Sequence, residues 1–380
     1  GNDDEENRSG GTPAAQPRIR ITRGEGENDK GQYVPFRSLG EQLQIVRRAA
    51  SEPHRVDKRL LEMNKRAAAG LHEGAGADGG FLLQVDFAAG MLESAIQTGL
   101  LAPRCRRWPV SAGSTGIEFP VLEETSRVDG SRYGGIQVYW AAEAEAAQKS
   151  KPKFSMTRMT FQKLLGMCVV TDEMLKDAPF LGAFIQQAFS EEFAYKIDDG
   201  IIRGTGVGQM LGILNSGCLV TVSKESGPQT AATILGVNVT KMRARLLARA
   251  RKNAIWLTNQ DCEPQIQTLT ITKDKSDIPL YVPADGLNRP LDKVYGHDVV
   301  PIEQASTLGA LGDLILADLS YYALIMQDMQ TASSIHVYFD TEQTAYRFSL
   351  RLNGQPIMKK AITPARGTNT LSPFVTLEAR

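Results

Sequence analysis

The segment from 177 to 204 (DAPFLGAFIQQAFSEEFAYKIDDGIIRG) constrains the fold most, because apolar residues recur at every fourth position. These positions are Leu181, Ile185, Phe189, Phe193, Ile197 and Ile201. A step of four residues advances ~400° around an α-helix, so the six side chains form one slowly drifting stripe. Asp177 with Pro179 predicts the start of the helix, and Gly204 predicts its end. We predict a helix of about seven turns, the spine helix, whose stripe forms a core across a whole domain.

The N-terminal region has the opposite character, because residues 1–36 and 70–80 are rich in Gly and charged residues. Such segments bury too little apolar surface on their own to offset the entropy lost on ordering. The region is therefore either a disordered tail or an arm ordered against neighbouring subunits, where IRIT (19–22) could extend a neighbour's sheet. Residues 38–68 predict two short basic helices broken near Pro53. A solvated or intersubunit position for these helices is favoured over one that faces DNA.

Residues 125–165 predict an extended hairpin loop. An alternating strand, IQVYW (136–140), is followed by the acidic AAEAEAAQ, the charged turn KSKPKF and a second strand pattern, FSMTRMTFQKLLGMCVV. An earlier strand-like block, GIEFPVLEE, precedes them. Neither arm has enough apolar residues to form a core of its own. We therefore expect a hairpin that protrudes from the domain built on the spine helix.

The C-terminal half alternates helical and strand patterns, which makes the predicted fold class α+β. Helices are predicted at VNVTKMRARLLARARKN (237–253) and at PQIQTLTITK, and a buried strand at AIWLTN (254–259). VYGHDVVPIEQ and DLILADLSYYALIM predict strands that flank a turn. The last segments predict two or three strands that return to the earlier strand block.

Composition narrows the function classes. Lys and Arg total 43 and Asp and Glu total 43, and the isoelectric point is near 7.1. A dedicated nucleic-acid binder is expected to be basic, whereas near-neutrality permits dense self-association because like-charge repulsion between copies is small. No apolar run is long enough for a membrane helix. The four cysteines lack any CxxC or zinc-type spacing, so we expect buried, reduced thiols: Cys105, Cys168, Cys218 and Cys262.

A search for catalytic chemistry gives no convergent site. The four histidines lie in unrelated contexts, and no GxSxG, HExxH or EF-hand pattern occurs. His72–Glu73 is an isolated pair in a Gly-rich stretch. Asp198 and Asp199 point about 100° apart on a helix, so we expect solvated acids rather than a carboxylate pair. GTGVGQMLG (204–212) lacks the P-loop lysine and follows a helix, so we expect a chain reversal there. The sequence predicts no catalytic, cofactor or metal residues.

The run from 151 to 215 resembles the major capsid proteins of tailed bacteriophages with the Hong Kong 97-type fold. Its likeness lies in a Lys-Pro hairpin turn, a strand leading to a DAP helix start, the spine helix and a Gly-x-Gly turn that ends in GILN. VYGHDVVPIEQAS (294–306) and LADLSYYALI (316–325) are similar to two further strands of that family. The resemblance covers about Gly80 to Arg380.

The resemblance implies a Hong Kong 97-type division of the chain. Its parts are an N-terminal arm (1–80), a first piece of a peripheral domain (81–124), an extended hairpin loop (125–165), the peripheral domain with the spine helix (166–212), an axial domain (213–340) and terminal strands of the peripheral domain (341–380). Copies would form hexamers and pentamers of an icosahedral virion shell around double-stranded DNA, assembled in the cytoplasm of the host bacterium.

The implied partners are other copies of the chain, a portal, a decoration protein, a scaffold, a maturation protease and packaged DNA in non-specific contact, with no membrane. Gly1 is compatible with proteolytic removal of a scaffolding segment. The candidate intersubunit residues of the hairpin are Trp140, Lys149, Lys151 and Lys153. Some members of the family crosslink a hairpin lysine to a peripheral-domain asparagine, aided by a glutamate. Asn353 is a conceivable partner, but no Asp or Glu lies between Glu342 and Glu378, so we expect no autocatalytic crosslink.

Two alternatives stay open. An encapsulin-type bacterial compartment shell has a related fold, and the long charged N-terminal region and the long hairpin favour the phage capsid over it. A soluble α/β hydrolase or transferase is the alternative from another class, and the missing catalytic constellation disfavours it. Microscopy of the expressed protein would separate a shell from a small cage with cargo and from a monomer or dimer.

Overall fold

The computed structural model describes residues 35–36, 38–51, 56–68, 80–82, 85–111, 113–140, 149–171, 178–225, 227, 229–273, 276–284, 291–338 and 343–380. The expectations for IRIT (19–22), His72–Glu73 and the acidic 141–148 fall outside these residues. In the described part, no helix is long and apolar enough to cross a membrane.

The helices follow the predicted patterns in the first half of the chain and depart from them in the second. Their bounds are α1 (Leu39–Ser51), α2 (Lys58–Ala68), α3 (Val85–Thr98), α4 (Ala178–Arg203), α5 (Gly236–Arg245) and α6 (Glu263–Gln267). The two basic helices and the spine helix, which is α4, are confirmed. The helix predicted over 237–253 is too long, because α5 ends at Arg245. There the backbone N–H of Leu247 bonds to the carbonyl of Ser372 at 2.9 Å instead of continuing the helix.

The first sheet has six strands and lies against α4. Its strands are β1 (Gly80–Leu82), β2 (Arg106–Arg107), β5 (Gln162–Thr171), β14 (Tyr322–Met326), β15 (Gln330–Tyr338) and β16 (Gln343–Pro356). The order is β1-β15-β16-β14-β2, and β5 pairs antiparallel with β16 from Gln162↔Leu352 to Thr171↔Gln343. The terminal segment therefore pairs with the second predicted arm. The prediction that it returns to the earlier strand block, GIEFPVLEE, is wrong, because residues 116–122 pair with residues 154–160 instead.

The second sheet has seven strands in the order β10-β11-β12-β7-β13-β17-β6. These are β6 (Val220–Val222), β7 (Ile255–Thr258), β10 (Tyr281–Val282), β11 (Lys293–Val294), β12 (His297–Pro301), β13 (Leu314–Ala317) and β17 (Phe374–Leu377). The central strands β7, β13 and β17 are buried at every position, as expected for a sheet covered on both faces. Two further pairs stand apart from the sheets: β3 (Gly116–Leu122) with β4 (Phe154–Thr160), and β8 (Thr270–Lys273) with β9 (Ser276–Pro279).

One continuous core joins the two sheets through the C-terminal half of α4. Ile197 and Ile201 of α4 belong to the same buried cluster as Phe348 of the first sheet and Leu257 and Phe374 of the second. The opposite face of the second sheet is covered by α5 and α6, with Trp256 at its centre. The spine helix therefore lies between two sheets, which accounts for its uniform apolar stripe.

The predicted division of the C-terminal half does not follow the sheets. The segment 213–340 contains β14 and β15 of the first sheet, and 341–380 contains β17 of the second. Strand β17 joins the second sheet by pairing antiparallel with β13 and parallel with β6.

The strand predicted at 136–140 is absent, and this prediction is wrong. In place of a strand, an isolated β-bridge between Arg132 and Ile136 closes a turn. Tyr133, Gly134 and Gly135 all have positive φ there (51°, 75° and 116°), which reverses the chain immediately before the alternating residues. Alternation alone does not form a strand when the turn leaves it without a pairing partner.

Candidate interaction surface

A hairpin over 116–160 stands apart from both sheets. Its strands β3 and β4 pair from Gly116↔Thr160 to Leu122↔Phe154, and 123–153 connects them. The second predicted arm is thus confirmed in β4 and β5, while the first arm is GIEFPVL rather than IQVYW. We refer to residues 116–160 as the hairpin.

The inner face of the hairpin packs on the first sheet. Phe119, Val121 and Met159 are buried in a cluster with Ala323 and Ile325 of β14. The ring of Trp108 contacts Phe119 at a centroid distance of 4.1 Å. This packing fixes the base of the hairpin to the body of the chain.

Apolar side chains are exposed along β4 and β5. Phe154 and Met156 are 61% and 62% exposed. Leu165, Met167 and Val169 of β5 are also exposed, at 53%, 51% and 41%. Strand β5 has β16 on one side and, among the described residues, no strand on the other. We call these five residues the apolar row. An apolar surface next to an open strand edge is typical of a protein–protein interface.

Polar contacts hold the connecting segment near its start. The backbone N–H of Arg127 bonds to the carbonyl of Thr363 at 2.9 Å, and the N–H of Thr363 bonds to Thr125 at 2.9 Å. The guanidinium of Arg249 donates to the hydroxyl of Tyr133 at 2.9 Å, and this hydrogen bond lowers the pKa of Tyr133. The segment therefore leaves the body of the protein from a defined position.

The hairpin residues predicted to contact other subunits lie beyond this anchor. Trp140 and Val138 are 104% and 92% exposed, and Lys149, Lys151 and Lys153 are also exposed. All four predicted residues are therefore exposed on the segment that follows the anchor.

A groove lies between the base of the hairpin and the chain segment 357–362. Its volume is about 380 Å³. The walls include Trp108, Phe119, Val121 and Ile357, and the rim carries the charged residues Arg106, Glu123, Glu124, Arg127, Arg249, Lys359 and Lys360. We call it the base groove. Sequence patterns gave no signal for it, because its lining comes from six separate parts of the chain.

The spine-helix residues are placed in the interior. Ile185, Phe193, Ile197 and Ile201 are buried, at 4% exposure or less. Phe189 is half-buried, and its ring contacts Phe348 at a centroid distance of 4.4 Å. The side chain of Leu181 lies outside the described residues.

Asp198 departs from the sequence prediction, because it is buried rather than solvated. Its carboxylate accepts backbone N–H groups from Leu100 at 2.8 Å, Ala102 at 3.1 Å and Leu101 at 3.3 Å. Burial raises the pKa of this carboxyl, and the three donors partly offset the rise. Asp199 is half-exposed, so the two acids do not form a pair. Asp198 holds the end of α3 against α4 and has a structural role.

The thiols and the basic helices offer little reactive chemistry. Cys105, Cys218 and Cys262 are buried as predicted, Cys168 is half-buried, and burial raises the pKa of all four. Arg59 of α2 pairs with Asp57 at 3.1 Å and with Glu41 at 3.0 Å. In the described part of the chain, no group of three His, Cys, Asp or Glu side chains could hold a metal ion.

Comparison with known proteins gives a consistent result. The model of the phage capsid family matches residues 79–367. Among solved structures, the capsid of an empty GTA particle has a TM-score of 0.54 at 16% identity, over 74% of this chain and 89% of that one. The capsid structure of a native GTA particle gives 0.52 at 14% identity, covering 75% and 89%. A solved structure titled Microbacterium phage Oxtober96 gives a TM-score of 0.50 at 14% identity, covering 74% of this chain and 90% of that one. No curated protein sequence matches the chain.

Proposed function

The chain belongs to the phage capsid family and is a structural subunit of a virion capsid with the Hong Kong 97-type fold, and we propose that its copies form hexamers and pentamers that close an icosahedral shell around double-stranded DNA. The observation that carries this proposal is the hairpin. Its inner face is packed on its own chain, whereas the apolar row, Val138 and Trp140 are exposed. Apolar groups that one chain leaves in water are covered when a neighbouring copy packs on them.

We propose that the extended hairpin loop (125–165), with Trp140, Lys149, Lys151 and Lys153, forms contacts between subunits. The exposure of these residues and of the apolar row supports this role. A heterologous contact, in which one surface of a copy meets a different surface of the next, closes into rings and therefore suits capsomers.

We further propose a peripheral domain around the spine helix and the first sheet, and an axial domain around the second sheet, six of whose seven strands lie within 213–340. The C-terminal strand β17 is assigned to the axial side because it pairs with β13 and β6. Strands β14 and β15 are assigned to the peripheral side because they pair with β16. The region 1–80 is proposed to act as an N-terminal arm.

We propose that the shell forms without an autocatalytic crosslink. The segment around Asn353 carries no Asp or Glu between Glu342 and Glu378 that could take up the lysine proton. The side-chain amide of Asn353 is also engaged, because it donates to the carbonyl of Thr160 at 2.5 Å and accepts from the N–H of Gly354 at 2.7 Å. Denaturing gels of assembled particles are expected to show single subunits. A ladder of covalent oligomers would contradict this proposal.

We propose that the chain catalyses no reaction and that the shell is assembled in the host bacterial cytoplasm. The remaining proposed partners are a portal, a decoration protein, a scaffold, a maturation protease and packaged DNA in non-specific contact. Family membership supports all of these, and the neutral net charge fits a shell better than a dedicated DNA binder.

Electron microscopy of the purified protein tests the proposal. The expected result is closed shells of hexamers and pentamers that exceed the size of a small uniform cage. Small uniform cages that hold a cargo enzyme would indicate a compartment shell instead. Dispersed small particles under every assembly condition would exclude a self-assembling capsid subunit.

A further inference from the structure

We propose that the hairpin tip of one copy, residues 138–140, inserts into the base groove of a second copy, with Trp140 as the anchor. This inference rests on the proposed assembly and names the two surfaces that meet. One surface projects and the other is concave, and both lie on the same chain.

The tip exposes large apolar side chains that no pocket of its own chain covers. Trp140 is 104% exposed and Val138 92%, the two largest exposures among the large apolar side chains of the described residues. An exposed Trp is rare on a monomer but common at the centre of interfaces, where its large area is buried in a pocket of the partner. The tip begins just after the turn at Tyr133, Gly134 and Gly135 that Arg249 holds by its hydrogen bond to Tyr133.

The groove has the matching size and lining. Its volume of about 380 Å³ is enough for an indole ring with part of the adjoining chain. Phe119 and Val121 supply buried apolar walls, and the ring of Trp108 packs beside Phe119. The indole N–H of Trp108 is buried and has no hydrogen-bond partner among the described residues. The lone chain therefore leaves an apolar, incompletely filled site at this position.

The rim of the base groove is basic, and acidic residues follow the tip in the sequence. On the rim, Glu124 is paired with Arg127 at 2.5 Å. The other charged residues of the rim are one acid, Glu123, and four bases: Arg106, Arg249, Lys359 and Lys360. The rim is therefore basic overall. Cations at the edge of a groove attract the face of an inserted Trp. In the sequence Trp140 is followed by Glu143 and Glu145, which are opposite in sign to the rim.

The tip does not occupy the groove of its own chain, because Trp140 is fully exposed there. A projecting surface and a concave surface at different places on one chain form a heterologous contact when copies meet. Such a contact repeats around a ring, so each copy both inserts a tip and receives one.

Thiol crosslinking between two separately purified variants tests the contact. Subunits with Val138→Cys are mixed with subunits carrying Lys360→Cys and assembled, which keeps Trp140 intact, and a covalent dimer is expected on mild oxidation. Val207→Cys mixed with Lys360→Cys is the matched control, because Val207 is 84% exposed at another position. Wild-type subunits mixed with Lys360→Cys report the background from Cys168. A dimer yield no higher than in these controls would overturn the proposal.

The substitution Trp140→Ala gives a second measurement that does not depend on oxidation. The concentration needed for assembly is expected to rise at least tenfold, while Val207→Ala leaves it unchanged. If wild-type subunits form shells but Trp140→Ala forms them at the same concentration, the inference fails and the proposed function stands. If wild-type subunits remain dispersed at every concentration, both fail.

Discussion

The second sheet and the hairpin show two different relations between a segment and its own chain. Strands β7, β13 and β17 are buried at every position. The charges next to β13 and β17 are paired, because Arg380 meets Asp313 at 2.6 Å with both side chains at 1% exposure or less. In the hairpin, Phe154, Met156 and Trp140 are exposed. The ion pair between its two strands, Arg158 with Glu118, lies at the surface.

The contrast separates what holds the subunit together from what is left for its neighbours. The second sheet completes its hydrogen bonds and apolar contacts within one chain, so its residues determine whether the subunit folds. The hairpin completes only one face, so its outer residues should matter for assembly and hardly for folding. Substitutions in the second sheet should therefore lower the unfolding free energy of the subunit. Substitutions on the outer face of the hairpin should impair assembly and leave that free energy nearly unchanged.

The largest effect is expected for Asp313→Ala. The substitution leaves the guanidinium of Arg380 buried without its carboxylate, and an Arg cannot neutralise itself by losing a proton. Breaking a buried pair in this way costs about 3–5 kcal/mol in unfolding free energy. Urea denaturation of unassembled subunits measures it. Glu225→Ala, which breaks the exposed pair with Lys241, is the control and should cost about 1 kcal/mol or less. Equal losses of unfolding free energy in the two variants would contradict the expected difference between the buried and the exposed ion pair.

A smaller loss is expected for Ile197→Ala in the spine helix. Ile197 is 1% exposed between the two sheets, and deleting its side chain leaves a cavity. The expected cost is about 2–5 kcal/mol. Phe184→Ala on the same helix is the control, because Phe184 is 58% exposed and its truncation should cost less than about 1 kcal/mol. Thermal or urea unfolding compares the two, and a ranking in the reverse order would contradict the placement of α4.

Asp198→Asn should change the pH dependence of stability. The folded protein raises the pKa of Asp198 above its ordinary value of 3.8, so the folded state binds this proton more tightly than the unfolded state. The stabilisation from that proton is complete below about pH 3.8 and is lost as the pH rises through the raised value.

The amide of the variant does not titrate, so its stability does not gain from this proton. The unfolding free energy of the wild type minus that of the variant should therefore fall as the pH rises through the acidic range. At neutral pH the variant still loses about 1–3 kcal/mol, because an amide accepts fewer of the three backbone N–H bonds. Denaturation across the acidic range measures both. A difference that stays constant with pH would contradict the raised pKa.

The smallest effect on folding is expected in the apolar row. The double variant Phe154→Ser with Met156→Ser should change the unfolding free energy by less than about 1 kcal/mol, because both side chains are mostly exposed already. Light scattering of the same protein should show reduced shell formation. Val207→Ser controls for the loss of an exposed apolar residue elsewhere. A large loss of subunit stability would show that the hairpin belongs to the folding unit.

The elements predicted correctly are those whose signal is local. The spine helix carries its period in consecutive residues, and the strand at 254–259 is a run of apolar residues between turn signals. The strand pattern at 313–326 is only partly correct, because a turn at 318–321 divides it into β13 and β14 of different sheets. The strand at 136–140 failed because a strand needs a partner, and the preceding left-handed turn leaves it without one. The helix at 237–253 failed because a contact with Ser372, far along the chain, ends it at Arg245.

The candidate surface could be predicted only in part. Its residues on the projecting segment, Trp140 and the three lysines, were identified from the hairpin pattern. The base groove was not, since its lining comes from six separate parts of the chain. The buried role of Asp198 was also missed, because its backbone partners at 100–102 are nearly a hundred residues away in sequence.

The sequence by itself determined the helix at the centre of the fold, the second arm of the hairpin and the family resemblance, since each depends on the spacing of nearby residues. Tertiary structure alone decided which sheet receives the last strand, which acid is buried and which face of the hairpin stays open. These outcomes depend on residues far apart in the chain meeting in space, and no local period records such meetings.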